Sequence, residues 1–401
     1  MRKVSFVAGV LAAMMAATGS TAEDGSVKIG VLTDMSGQNS NFGGKGSVVA
    51  AELAVEDIGG SALGHPIEIV SADHRNKPDV GASIARQWYE NDGVDLIVDI
   101  PSSAVALAVA GIAKDTKKLV FTSGSSTSRL VEEDCSPYTA QWTYDSYALA
   151  KGVAGTLVKE GGKKWFFITA DYAAGHSIEG AFEGFLTAEG GEVVGGVRHP
   201  VGTTDYTSYL LQGQASGADV IGIINFGEDS INTLKQASEF GIADAGQKMA
   251  VFFMSDPQIN AAGLDVMKGL VFVTSFVWNK NEETRAWTER FKAKAGQMPS
   301  DFHASVYSAT LSYLKGVNAA GTDEADAVMA AVKAAPVDDM YAHGGRILPN
   351  GLHVHDLSLV EVKSPDEQKE EGDNMKILAS IAGTDAFRPI EDSVCDLAKS
   401  N

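Results

Sequence analysis

The chain has 401 residues, 44% of them hydrophobic, and its 32 Lys and Arg against 52 Asp and Glu give a formal net charge of −20. That sign excludes nucleic acid as a partner, because binding phosphate needs a cationic surface. The length can bury two hydrophobic cores, so two domains are the default organisation.

The first residues, MRKVSFVAGVLAAMMAATGSTA, set Arg2 and Lys3 before an apolar stretch from Val4 to Ala17, with small residues at Ser20 and Ala22. This is the pattern of a secretory leader cut after Ala22, and it assigns 1–22 to a signal peptide. The apolar run is short for a membrane span, no cysteine lies near the cut, and no later apolar segment is long enough to cross a bilayer. A free, exported protein without a lipid anchor is the expectation. Cys135 and Cys395 are the only cysteines, and one disulfide between them is the simple reading for this compartment, with two unpaired buried thiols as the alternative. Such a bridge would fasten the C-terminal tail to the middle of the chain.

From Val27 onward, short apolar runs alternate with segments of helical period. VKIGVLT precedes a helix near Gly46 to Ile58, with Ala50, Leu53, Ala54 and Ile58 on one face. IEIVSA, a helix through Ile84 and Trp88, VDLIVDI, an alanine-rich helix after Pro101, and KLVFTS continue the series. Continuously apolar strands alternating with helices predict a parallel sheet covered on both faces. A second series starts after Tyr138: KKWFFITA leads to a helix with Ile178, Ala181, Phe182, Phe185 and Leu186 in one buried stripe, and GEVVGGVRH, DVIGIINF and KMAVFFMS are three more strands. No low-complexity linker separates the two series, so tight crossing strands are expected between the domains. After LVFVTSFVW come two helical segments, Glu282 to Ala295 and Phe302 to Ala320, then a hairpin around Pro349, Asn350 and Gly351. Assigning this late material mainly to the first sheet makes the chain pass between the lobes more than once and leaves a cleft.

In open parallel sheets, ligands bind beyond the carboxyl ends of the strands. DIPSSAVALAVAG, Asp99 to Gly111, is such a strand-to-helix corner: unpaired helix N–H groups, with Ser102 and Ser103, suit a carboxylate. FTSGSSTS puts Thr122, Ser123, Ser125, Ser126 and Thr127 around Gly124 at the next strand end. Either corner alone reads equally as helix capping; their pairing on consecutive strands points to an anion site. A serine nucleophile would call for G-x-S-x-G, which neither corner has. HVHD, His353 to Asp356, places two imidazoles on one face of a predicted strand, a metal pair if a third ligand comes near and otherwise a solvated strand face. GGKGSVV around Gly44 and Gly46 lacks the third glycine of a dinucleotide loop and does not directly follow a strand. Aromatics stand at predicted strand ends and crossings: Phe42, Trp142, Tyr144, Tyr172, Phe276 and Trp278, with core packing as the competing role for each. Asp171 and Asp256 are carboxylates at the opposite lip, able to accept from an ammonium group or to cap a helix.

Taken together, IGVLTDMSG running into a glycine-rich loop, GVDLIVDIPSSA, LVFTSGSS, ADYAAGHSIEG and SVYSATLSYLKGV resemble the branched-chain amino acid-binding type of periplasmic solute receptor over the whole mature chain. The resemblance implies a type I periplasmic binding fold: α/β, two doubly wound lobes joined by a three-strand hinge and closing around a ligand. The boundaries expected are 23–142 plus 275–348 for lobe 1, 143–274 plus 349–380 for lobe 2, and 381–401 for a tail. It also implies carboxylate capture by Ser102 or Ser103 with Gly124, Ser125, Ser126 and Thr127, cover by Phe42, and an ammonium partner on or near Asp256. Related receptors often carry an aromatic before the glycine of the ADY loop, whereas this chain has Ala174 before Gly175 with Tyr172 two places earlier. That departure leaves room in the pocket, counts against a simple leucine-type ligand and suits an aromatic acid, which some relatives of this general type bind. The expected role is non-enzymatic, without metal or cofactor: a periplasmic monomer that delivers a small solute to the permease subunits of an ABC importer. A ligand sensor of a signalling system, a small-amide binder and an enzyme using the cleft are the rival readings.

Overall fold

The structure, a computed structural model, describes residues 26–37, 39–242 and 245–399. The leader assigned to 1–22 lies outside them. Strands Lys28–Thr33, Glu68–Asp73, Leu96–Asp99, Leu119–Thr122 and Thr139–Gln141 form a first sheet, parallel throughout. Across the sheet they lie second, first, third, fourth and fifth in chain order. Leu96–Asp99 and Leu119–Thr122 are buried along their whole length. Pleating sends Leu96, Val98, Leu119 and Phe121 into one core and Ile97 and Val120 into another, which is why both strands read as unbroken apolar runs. The helices Gly44–Asp57, Glu282–Ala295 and Asp301–Ala320 cover the first face, and Pro78–Glu90 and Ser103–Thr116 the second.

The second sheet repeats the winding. Glu192–His199, Lys164–Ala170, Val220–Ile224, Lys248–Val251 and Val271–Thr274 lie side by side in parallel, again second, first, third, fourth and fifth in chain order. Leu357–Val362 and Met375–Ile381 extend it antiparallel beyond Val271–Thr274. The late chain is therefore divided: its long helices pack on the first sheet, while its last strands complete the second. His343–Ile347 and His353–Val354 pair antiparallel as the expected hairpin.

Three short segments, after Gln141, after Thr274 and after Ile347, carry the chain between the sheets. The first and third are bonded to each other, and the first also to its own lobe. Gln141 N donates to Gly351 O at 2.9 Å and Trp142 N to Thr122 O at 2.8 Å. His353 Nδ1 donates to Trp142 O at 3.0 Å and His355 Nε2 to Thr143 O at 2.6 Å. Both imidazoles are buried, 0% and 4% exposed, and burial holds both below the usual histidine pKa. HVHD is thus neither a solvated strand face nor part of a metal site among the described residues; it cross-braces the hinge. Cys135 and Cys395 are joined in a disulfide, beside which Glu132 accepts from Ser393 Oγ at 3.0 Å and Val394 N at 2.8 Å. No described helix is long and apolar enough to cross a membrane.

Candidate ligand-binding site

The carboxyl edges of the two sheets face each other across a cavity of about 580 Å³, a size that suits a small organic ligand. On the first edge, Ser102 is the N-cap of the Ser103–Thr116 helix, yet its hydroxyl makes no capping bond, and the first turn holds no acidic residue. Its hydroxyl and the helix N–H groups therefore face the cavity without a competing carboxylate. The approach is strained: Asp99 and Ile100 both have positive φ, 88° and 58°, and a β-branched residue in that region costs energy that the surrounding fold must offset. The Asp99 side chain is fully buried with no protein hydrogen bond to either oxygen. Burial raises its pKa to about 7 despite the hydroxyls of Ser47 and Thr33 nearby.

The neighbouring corner is held by backbone contacts to the hinge. Gln141 Nε2 donates to Ser125 O at 2.9 Å and Ser146 N to Ser126 O at 2.6 Å. Ser128 Oγ donates at 2.8 Å to Asp145, the N-cap of the Ser146–Lys159 helix in the second lobe. Gly124 is required: a Cβ there would lie 2.6 Å from Pro101 Cα and 3.0 Å from the Phe302 ring. The two corners thus pack directly on each other.

Phe42 projects from the loop after the first strand and is clamped through its backbone. Ser300 Oγ donates to Phe42 O at 2.5 Å and His303 Nε2 to Gly43 O at 2.8 Å. Ser300 N donates to His303 Nδ1 at 2.9 Å, so the imidazole is neutral with its proton on Nε2, and burial lowers its pKa to about 4. A Cβ at Gly46 would collide with the His303 ring at 2.3 Å; the glycines of GGKGSVV serve this close approach. The Phe42 ring meets Phe253 and Phe302 edge-on, centroids 5.3 and 5.2 Å away, and Phe253 stacks on Phe302 at 5.0 Å. Since Phe253 follows a second-sheet strand, this cluster joins the lobes within the cavity lining. Phe226 links Tyr172 at 5.8 Å to Phe252 at 5.5 Å.

Of the side chains expected at the site, Phe42, Ser102, Ser103, Gly124, Ser126, Thr127 and Tyr172 line one cavity. Ser125 does not; its hydroxyl is buried beneath the loop. Asp256 is turned away too, accepting from Asn374 Nδ2 at 3.0 Å, with burial raising its pKa to about 7. Phe276 packs on Trp287 in the first-lobe core, centroids 5.6 Å apart. Asp171 pairs with His176 on the surface at 2.8 Å. The Ala174 side chain lies outside the described residues, while Gly175 is needed because a Cβ would sit 2.2 Å from Ala170 O. Phe226, Asp229, Phe252, Phe253 and Phe302 line the cavity and escape the sequence reading. NFGED and VFFMS carry the same strand-end signal as FTSGSS, whereas Phe302 lies on a helix with no local mark.

The profile of the periplasmic binding protein family matches residues 26–370. A periplasmic binding protein from Burkholderia mallei is 43% identical, with a TM-score of 0.87 over 93% of this chain and 99% of that one. A branched chain amino acid ABC transporter periplasmic ligand-binding protein from Burkholderia xenovorans is 42% identical, with a TM-score of 0.88 over 93% and 100%. Leu/Ile/Val-binding protein homolog 6 of Brucella melitensis is 25% identical over 248 residues, a match that spans 61% of this chain and 62% of that protein. With two like-wound sheets, three crossings and a cavity between their carboxyl edges, the chain belongs to the periplasmic binding protein family, among relatives of the branched-chain amino acid-binding type.

Proposed function

We propose that this protein is the solute-capturing component of an ABC importer in the periplasm, taking one small carboxylate-bearing molecule, a branched-chain amino acid or an aromatic acid, into the interlobe cavity. The lobes in this reading are 23–142 with 275–348 and 143–274 with 349–380, acting as a monomer. The observation that carries it is the uncommitted donor corner at Ser102 and Ser103, beside Gly124, Ser126 and Thr127, facing a wall of rings on the other lobe. A ligand that touches both edges makes its full contacts only when the lobes are closed, so it favours closure by the difference in contact free energy. The closed pair of lobe surfaces is then what the permease subunits in the inner membrane recognise. The ring-lined middle of the cavity favours the aromatic acid, since offset and edge-on ring pairs add to the burial of apolar area.

A thermal-shift screen over amino acids, aryl acids, amides and sugars tests this. At a hundredfold excess over Kd, a ligand that binds only the folded state adds about 2.7 kcal/mol, and the carboxylates should give the largest rises. Rises from neutral sugars or amides with none from any carboxylate would refute the reading. Mass spectrometry of the recovered ligand should find it unchanged.

A further inference from the structure

The cavity is also lined by two residues that belong neither to the serine corner nor to the ring wall, Asn76 on the first edge and Val201 on the second. Asn76 follows Glu68–Asp73, the edge strand of the first sheet, and Val201 follows Glu192–His199, the edge strand of the second. Each edge strand stands four places across its sheet from a strand that leads into a crossing, Thr139–Gln141 in the first and Val271–Thr274 in the second. Neighbouring strands lie about 4.8 Å apart, so the two loops start roughly 19 Å from those crossing strands.

Both loops are pinned. Asp73 Oδ1 accepts from Met35 N at 3.1 Å and from Arg75 N at 2.8 Å, and His74 Nδ1 accepts from Asn76 N at 3.0 Å. His74 is fully buried and, because its Nδ1 accepts, carries its proton on Nε2. These bonds hold Arg75 and Asn76 at φ 54° and 53°, a left-handed pair that is costly outside glycine and that asparagine tolerates better than most residues. The Asn76 backbone is thus committed, while its carboxamide has no hydrogen-bond partner among the described residues. On the second edge, Gly202 N donates to Asp229 Oδ2 at 2.9 Å and Thr203 Oγ1 to Pro200 O at 2.6 Å. They fix the turn at 200–203 around Val201, at 60% the most exposed large hydrophobic side chain among the described residues.

Rotation about the crossings moves each point in proportion to its distance from them, so the loops after the two edge strands travel far and meet only as closure is completed. We infer that Asn76 and the turn at 200–203 form a latch between the lobes: on full closure the Asn76 carboxamide bonds to the backbone of the turn, and the loop at 74–76 covers the Val201 side chain. Neither group has to touch the solute. The latch favours the closed form whatever lies inside, and so acts on the rate of release. This rests on the lobe closure proposed above and adds the place where the closed lobes meet.

The test has one arm without solute and one with it. In the first, the solute-free double variant Asn76→Cys with Val201→Cys is oxidised with copper phenanthroline, and peptide mass spectrometry reads whether the two new thiols have joined. A disulfide needs Cα atoms within about 7 Å of each other, so the latch predicts a bridge in most molecules, and none when Asn76→Cys is combined instead with Glu239→Cys at the exposed end of the Gly227–Glu239 helix. In the second arm, release of benzoate and of L-leucine is timed by stopped flow from wild type and from Asn76→Gly. Glycine keeps the left-handed backbone and removes only the carboxamide, so the melting temperature without solute should stay unchanged. Release should quicken about threefold to tenfold for the loss of one hydrogen bond, by the same factor for each probe that binds. No bridge in a folded double variant, or unchanged release from Asn76→Gly, would overturn the latch and leave the carboxylate reading intact. Faster release of one bound probe but not the other would place Asn76 on the ligand and overturn the latch as well. If neither probe binds, the carboxylate reading loses its support and the bridge alone decides the latch.

Discussion

The two edges of the cavity share one topology and differ in chemistry. Each sheet has its first and third strands adjacent at the point where the winding reverses, so each sends its loops toward the same space. On the first edge those loops carry Ser102, Ser103, Gly124, Ser126 and Thr127, short enough to leave backbone N–H groups within a ligand's reach. On the second they carry Tyr172, Phe226, Phe252 and Phe253, with Asp229 beyond them. The fold decides where two loop sets meet, and the loop residues make one side rich in hydroxyls and the other rich in rings.

Substitutions that exchange or erase these characters test the comparison. Phe253→Ala removes the ring that both stacks on Phe302 and touches Phe42 across the lobes; truncating a buried Phe costs about 3–5 kcal/mol, read as a lower melting temperature, and aryl acids should lose more affinity than small aliphatic ones. Equal losses for both ligand types would erase the distinction between the edges. Gly124→Val forces a side chain against Pro101 and Phe302, where overpacking costs about 1–3 kcal/mol. Its affinity for every carboxylate should fall by about tenfold to a hundredfold, whatever the rest of the ligand.

A third test, read against pH, is Asp99→Asn, below the first edge. Because the folded-state pKa of Asp99 is raised from 3.8 to about 7, the folded protein holds this proton more tightly than the unfolded chain, and wild-type stability declines as pH rises through that window. The melting temperature of Asp99→Asn relative to wild type should therefore climb between about pH 4 and 7 and level off above. A flat difference would mean that the carboxyl is not held neutral there.

Much of the fold was legible because buried parallel strands announce themselves as unbroken apolar runs, and the first-edge corners because small polar residues directly follow such runs. Lateral contacts were not. A strand-end carboxylate looks the same whether it faces a ligand or turns away, and Asp256 turns toward Asn374, 118 residues later in the chain. Asp229 reads as an ordinary acid in a first helical turn, a position that the helix dipole favours anyway. The HVHD pair could be assigned only once the first crossing, 211 residues earlier, was seen to run beside it. Phe302 enters the cavity because the turn holding it also supplies Ser300 and His303 to the Phe42 loop, a coincidence of packing with no local signature.

The covalent link between Cys135 and Cys395 also bears on how the molecule gapes. It sits with Asn350, whose Nδ2 donates to Val131 O at 2.9 Å, on the side where the third crossing runs, so tail, first-lobe loop and hinge are riveted together there. Val201, 60% exposed, and Asn76 are among the residues that line the cavity. In the lobe closure proposed above, the riveted junction would stay fixed while the rest of the two edges separates.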